Sequence, residues 1–215
     1  MTNLYRLAVV LLIAIATANA ATIYQNGAPN LDSGHEMTSR LQAEDFVLNE
    51  ANSLTGVRFW AFYYNDFASG YLGSVAWGIY ADSNGQPGSV LFYGLVTPVL
   101  SAGSENCCAG ITAELQFALP NISLASGTYW LALHNGPTSR TSNEDFYWQT
   151  TDANSSVRGV EQAAPFGQSI WQNTNQEHAF ELQGNSLPAT APVPEPSTFF
   201  LVGSVIVGLI WQRRR

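Results

Sequence analysis

The side chains that could bind a metal or move electrons are few. Cys107 and Cys108 are adjacent, His35, His134 and His178 lie far apart, and Asp82-Ser83-Asn84-Gly85 places two oxygen side chains in one short stretch. Adjacent cysteines allow a vicinal disulfide, two free thiols or an intermolecular bond. Neighbouring Cα atoms are about 3.8 Å apart or less, below the usual disulfide range. With no CxxC motif and no other cysteine, catalysis is set aside and a loop role is favoured over redox or cross-linking. No HxH or HExxH spacing puts two histidines on one metal, so all three are expected as ordinary surface or turn residues. Asp82 and Asn84 offer oxygens to calcium, but an EF-hand loop opened by Asp82 would need a glutamate where Tyr93 stands. Asp, Asn and Gly are also what a turn uses for its own backbone, and that reading is preferred. No resident metal or cofactor is expected.

Nucleophilic and acid–base chemistry is equally thin. No GxSxG elbow nominates a serine. Glu114, Glu144, Asp145 and Glu181 could supply the carboxylate pair of a glycosidase, but acidic residues on outward strand faces are normally solvated. The chain is therefore expected not to be an enzyme. Its aromatic excess is more informative: 11 Phe, 9 Tyr and 6 Trp. Trp60, Trp130 and Trp148, with Tyr64, Tyr80 and Tyr147, lie on or next to strands, and exposed indoles stack on the apolar faces of sugars. The competing reading is that loops cover these rings.

Composition narrows the field further. All 8 basic residues are arginines, against 16 acidic residues, for a formal charge of −8. Without lysine there is no P-loop and no Schiff base, and without a basic face no nucleic-acid binding is expected.

The elements that must position these groups are strands. Residues 21–187 alternate in twos rather than in threes and fours. Expected strands include Ala43–Leu48, one centred on Val57, Phe59, Ala61 and Tyr63, and one centred on Val75, Trp77, Ile79 and Ala81. Val90–Val96, Ile111–Ala118, Thr128–His134, Phe146–Thr150 and His178–Leu182 complete about eight. The second is apolar on both faces apart from Arg58, so it is expected to be central or covered on both sides. No segment between them shows a helical period. The expected fold is all-β, an antiparallel β-sandwich of jelly-roll type.

Both ends fall outside that pattern. Residues 1–20 place Arg6 before an apolar run and end in Ala18-Asn19-Ala20, which reads as a secretory signal peptide cut by signal peptidase. Residues 188–193 form a Pro-rich linker. Residues 194–215 contain Pro194-Glu195-Pro196, an apolar run from Phe199 to Trp211, and Arg213, Arg214 and Arg215, which should stay cytoplasmic. The apolar run is short for a membrane-spanning helix. This tripartite tail resembles the PEP-CTERM sorting signal of Gram-negative bacteria. The resemblance implies an exosortase as processing enzyme, a transient inner-membrane anchor before cleavage, and delivery to the cell surface or an exopolysaccharide matrix. Trp77–Gly88 and Leu119–Leu133 also loosely resemble strand-turn-strand units of exported bacterial β-sandwiches that carry this tail. Two alternatives are a sortase signal at Leu187-Pro188-Ala189-Thr190-Ala191, with Ala in place of Gly, and a plain tail anchor.

The expected function is that of a non-catalytic, exported envelope or matrix protein with a structural or adhesive role in an exopolysaccharide-associated surface, such as a biofilm. The alternative is a carbohydrate-binding module using Trp60, Trp130 and Trp148, and the third reading is a glycosidase. Removal of both ends leaves four arginines against fifteen acidic residues, a net charge of −11. That sharpens the exclusion of nucleic acid as a partner.

Overall fold

The computed structural model describes residues 21–64, 70–108, 110–152, 159–167 and 170–188. The expected signal peptide, sorting tail and most of the linker lie outside them. Among the described residues, no helix is long and apolar enough to cross a membrane.

The chain forms β1 (Ala21–Gln25), β2 (Gly34–Glu36), β3 (Arg40–Leu48), β4 (Asn52–Tyr63), β5 (Val75–Asp82), β6 (Pro87–Val96) and β7 (Val99–Cys107). It continues with β8 (Gly110–Leu124), β9 (Gly127–Asn135), β10 (Phe146–Thr151), β11 (Val160–Ala163), β12 (Gln172–Asn173), β13 (Glu177–His178) and β14 (Phe180–Ser186). They make two antiparallel sheets packed as an all-β sandwich. In the larger sheet β4 is central. It pairs along its whole length with β8, which carries β7 at the edge, while its other side is shared by β14 and β10. The smaller sheet runs β12-β11-β3-β9-β5-β6.

Alternation explains the interior. Phe46 and Leu48 of β3, Phe59 and Ala61 of β4, Leu115 and Phe117 of β8, and Leu131 and Leu133 of β9 meet in one buried core between the sheets. Polar residues between them, such as Glu114 and Gln116 on β8, take the outer face. Seven of the eight expected strands occur as single strands with wider bounds. β1, β2, β7, β11 and β12 were not expected: most are short, and β7 carries Ala-Gly-Ser-Glu-Asn instead of an alternating pattern. The single strand expected over His178–Leu182 is two. The chain changes partner at Ala179, whose N–H donates to Gln149 O at 2.8 Å and whose carbonyl accepts from Trp148 Nε1 at 2.8 Å.

A second, smaller core covers the outer face of the smaller sheet. Leu41, Ala43, Trp130, Ala132 and Val160 are buried there beneath Tyr80, Phe166 and Trp171. Among the described residues no strand pairs beyond β6, the far edge of that sheet, which has no charged residue and leaves Tyr93 82% exposed.

Candidate functional site

The outer face of the larger sheet carries a cleft of about 290 Å³ lined by Trp60, Ser101, Thr112, Glu114 and Gln149, with Ala28, Pro29 and Leu31 as its wall. Strand register builds it. Trp60 of β4 lies opposite Glu114 of β8, and Glu114 lies opposite Ser101 of β7, so one cross-strand row spans three strands. Trp60 is half-buried, whereas Gln149 on β10 is buried. The Gln149 amide nitrogen donates to Ala61 O at 2.9 Å, and its Oε1 has no partner among the described residues. Beside this row, Phe62 and Tyr147 stack with ring centroids 4.8 Å apart. On the other side, Arg58 bridges Glu114 Oε1 through Nε and Glu181 Oε2 through Nη1, each at 3.3 Å.

The wall is tied down. Asn30 donates its backbone N–H to Thr150 O at 3.0 Å and accepts from Thr150 Oγ1 at 2.9 Å. Its amide nitrogen donates to Asp152 Oδ1 at 2.8 Å, and Thr151 Oγ1 donates to Ala28 O at 2.7 Å.

The structure separates the residues named from sequence. Of the three candidate stacking tryptophans, only Trp60 reaches solvent. Trp130 and Trp148 are both 0% exposed, which corrects their placement as sugar platforms. Trp130 does point away from Leu131 and Leu133, as alternation requires, but it lies under Tyr80, Phe166 and Trp171. Trp148 faces the central core, edge-on to Phe59 and Phe180.

Asp82 and Asn84 sit in the β5–β6 turn. Asp82 Oδ1 accepts from Trp130 Nε1 at 2.9 Å, and Oδ2 accepts from Gly85 N at 3.3 Å. Asn84 and Gly85 have positive φ values of 56° and 77°, the conformation such a turn demands. Both carboxylate oxygens accept hydrogen bonds from within the protein, and Asp82 holds its own turn. Cys107 and Cys108, at the end of β7 and in the turn that follows, are joined as a vicinal disulfide.

Two of the three histidines are not surface residues, which corrects that expectation for them, while His35 is half-buried. His134 and His178 are 0% exposed. His134 bridges Thr38 O (2.8 Å) and Gly136 O (3.1 Å), closing the loop after β9. His178 and His35 meet with ring centroids 5.0 Å apart, and His178 also packs on Trp148.

Around His178 lies a cluster that sequence reasoning missed. Glu44, Asp45 and Glu177 are all buried and bring ligand atoms within 4.8 Å of one another. Glu44 Oε2 accepts from the His178 backbone N–H at 2.7 Å and meets His178 Nδ1 at 2.8 Å. Glu44 Oε1 accepts from Asp45 N at 3.3 Å, and Glu177 Oε2 accepts from Asn26 Nδ2 at 3.2 Å. Burial, then the charge of Glu177, pushes the Glu44 carboxyl well above its ordinary value. Burial, then His35, pushes His178 well below its own. The signal was the Glu44-Asp45 dipeptide itself. Two adjacent acidic residues inside a largely apolar strand pattern are unusual, and the structure buries both. Its oxygens are used to join β3, β13 and the end of β1. The Gly159 Cα lies so close that an added Cβ would strike both His178 Nδ1 and Glu44 Oε2.

Comparison with known proteins addresses the other end of the chain. A search of curated proteins finds no match. The family model of the PEP-CTERM protein-sorting motif matches residues 192–215. That stretch includes Pro194, Glu195, Pro196 and Arg213–Arg215, all outside the described residues. Beside its β-sandwich body, the chain carries a PEP-CTERM protein-sorting motif, the signature of an exosortase-sorted exported protein.

Proposed function

We propose that the protein is exported by its N-terminal signal peptide, held briefly in the inner membrane by its tail, and released by an exosortase-type enzyme to the cell surface or an extracellular exopolysaccharide matrix. There it serves as a non-catalytic structural or adhesive component. The match of residues 192–215 to the sorting motif carries this reading. Two further features support it. The acidic body, with four arginines against fifteen acidic residues, suits a soluble, self-repelling domain. The carboxylates considered for glycoside hydrolysis are otherwise engaged: Arg58 pairs with both Glu114 and Glu181, Glu144 pairs with Arg140 at 3.4 Å, and Asp145 accepts from Tyr147 at 3.1 Å. A glycosidase needs two carboxyl groups free to flank the scissile bond.

Intact-mass measurement on membrane, surface and medium fractions tests the proposal. The expected product outside the membrane lacks residues 1–20 and the segment Phe199–Arg215. A surface or medium form that keeps Arg213–Arg215 overturns processing.

A further inference from the structure

We propose that the cleft on Trp60 is a binding site for one uncharged sugar ring of a glycan. This deepens the reading of an exported matrix component and rests on it only for where such a glycan would be met. Three observations converge. Of the three candidate tryptophans the Trp60 indole is the one left partly accessible, and it lines the cleft beside polar side chains from three other strands. The volume of about 290 Å³ lies at the lower end for ligand pockets, which suits one ring rather than a long chain segment.

The second observation comes from Gln149, which is only 1% exposed. Its amide nitrogen is fixed on Ala61 O, which orients the group, while Oε1 is buried with no partner among the described residues. A buried acceptor in that state is stabilised by any hydroxyl donor that reaches it. A sugar whose apolar face rests on Trp60 presents hydroxyls around its rim. Ser101 offers a further hydroxyl along the same row.

Third, the site is preorganised. Asn30, Thr150 and Thr151 hold the Ala28–Leu31 wall through hydrogen bonds that do not depend on a ligand. Charge selects among sugars. The lining carries the Glu114 carboxylate and no cation, Arg58 is already paired with Glu114 and Glu181, and the body is acidic. A uronic acid would meet repulsion, and a neutral hexose would not.

The test titrates the purified full chain, in detergent, with cellohexaose, maltohexaose, mannohexaose and hexagalacturonate, read by tryptophan fluorescence and calorimetry. At least one neutral hexamer is expected to bind, and hexagalacturonate is not. Trp60→Ala is expected to weaken binding about tenfold or more, with Trp60→Phe keeping part of it. Gln149→Leu removes the unpaired acceptor together with the donor to Ala61 O, so it is expected to weaken binding and to lower the thermal midpoint modestly, with the chain still folded at the titration temperature. Thermal melts of every variant separate lost binding from lost folding. Binding of no neutral hexamer, binding unchanged by Trp60→Ala, or binding of hexagalacturonate alone overturns the proposal. The Trp60→Ala chain should still lose its tail in vivo. A processed chain that binds no hexamer overturns the cleft alone, and a binding chain that keeps its tail overturns the sorting reading alone.

Discussion

The indole N–H of Trp130 donates to Oδ1 of Asp82 at 2.9 Å. Two residues that sequence offered to two different ligands, a sugar and a calcium ion, are each other's partner. The bond closes the second core at the mouth of the β5–β6 turn, and Oδ2 of the same carboxylate holds Gly85. Asp82→Ala leaves a buried indole donor unpaired and is expected to cost about 1–3 kcal/mol in urea denaturation. Added calcium is expected to leave the thermal midpoint unchanged. A calcium-dependent rise that Asp82→Asn abolishes would restore the metal reading.

Glu44 and His178 set opposite pH limits on stability. The Glu44 carboxyl, ordinarily 4.5, is raised in the fold, so its contribution is full below that value and fades as pH rises above it. The His178 imidazole, ordinarily 6.5, is lowered, so its contribution is full above that value and fades as pH falls below it. Thermal midpoints measured from about pH 4 to pH 8 should therefore respond differently to two variants. Glu44→Gln is expected to flatten the decline on the alkaline side, and His178→Asn the decline on the acid side. Profiles parallel to wild type in both variants would rule out this pair as the origin of the limits.

The cysteine pair is readable by mass. The secreted chain is expected to gain two hydrogens on treatment with reductant, with no dimer on non-reducing gels, because both sulfurs are used within one chain. A reductant-sensitive dimer would show that the cysteines link copies instead.

Edge strand β6 predicts how the protein behaves in concentrated solution. Tyr93 is 82% exposed, and Val90, Leu91, Phe92 and Leu95 are exposed on the same strand. Open apolar edges are templates for pairing with further strands, and a lysine blunts them. Tyr93→Lys is expected to change stability by about 0.5 kcal/mol or less and to lower light scattering on storage.

Much of the sandwich was legible because a half-buried strand writes its faces into every second residue. Ala113, Leu115 and Phe117 went inward, and Trp130 faced away from Leu131, as the alternation required. Whether an outward ring meets water is a different question, settled by residues far away in sequence. Phe166 and Trp171 come from a stretch without periodicity, and nothing in the pattern around Trp130 announces that they cover it. The same non-locality hid the Glu44–His178 contact, whose partners are 134 residues apart. The cleft was half legible. Trp60 was named, but its alignment with Glu114 and Ser101 depends on strand register, which sequence does not reveal.

The way the chain leaves the sandwich has a mechanical consequence. β14 lies between β1 and β4, antiparallel to both, and just beyond it Leu187 N–H donates to Ala51 O at 2.8 Å. A pull transmitted through residue 188 acts along this strand. It therefore loads the two flanking ladders in shear, many bonds at once, instead of peeling them open one at a time. Any attachment through the C-terminal side would pull on an element that resists drag and flow.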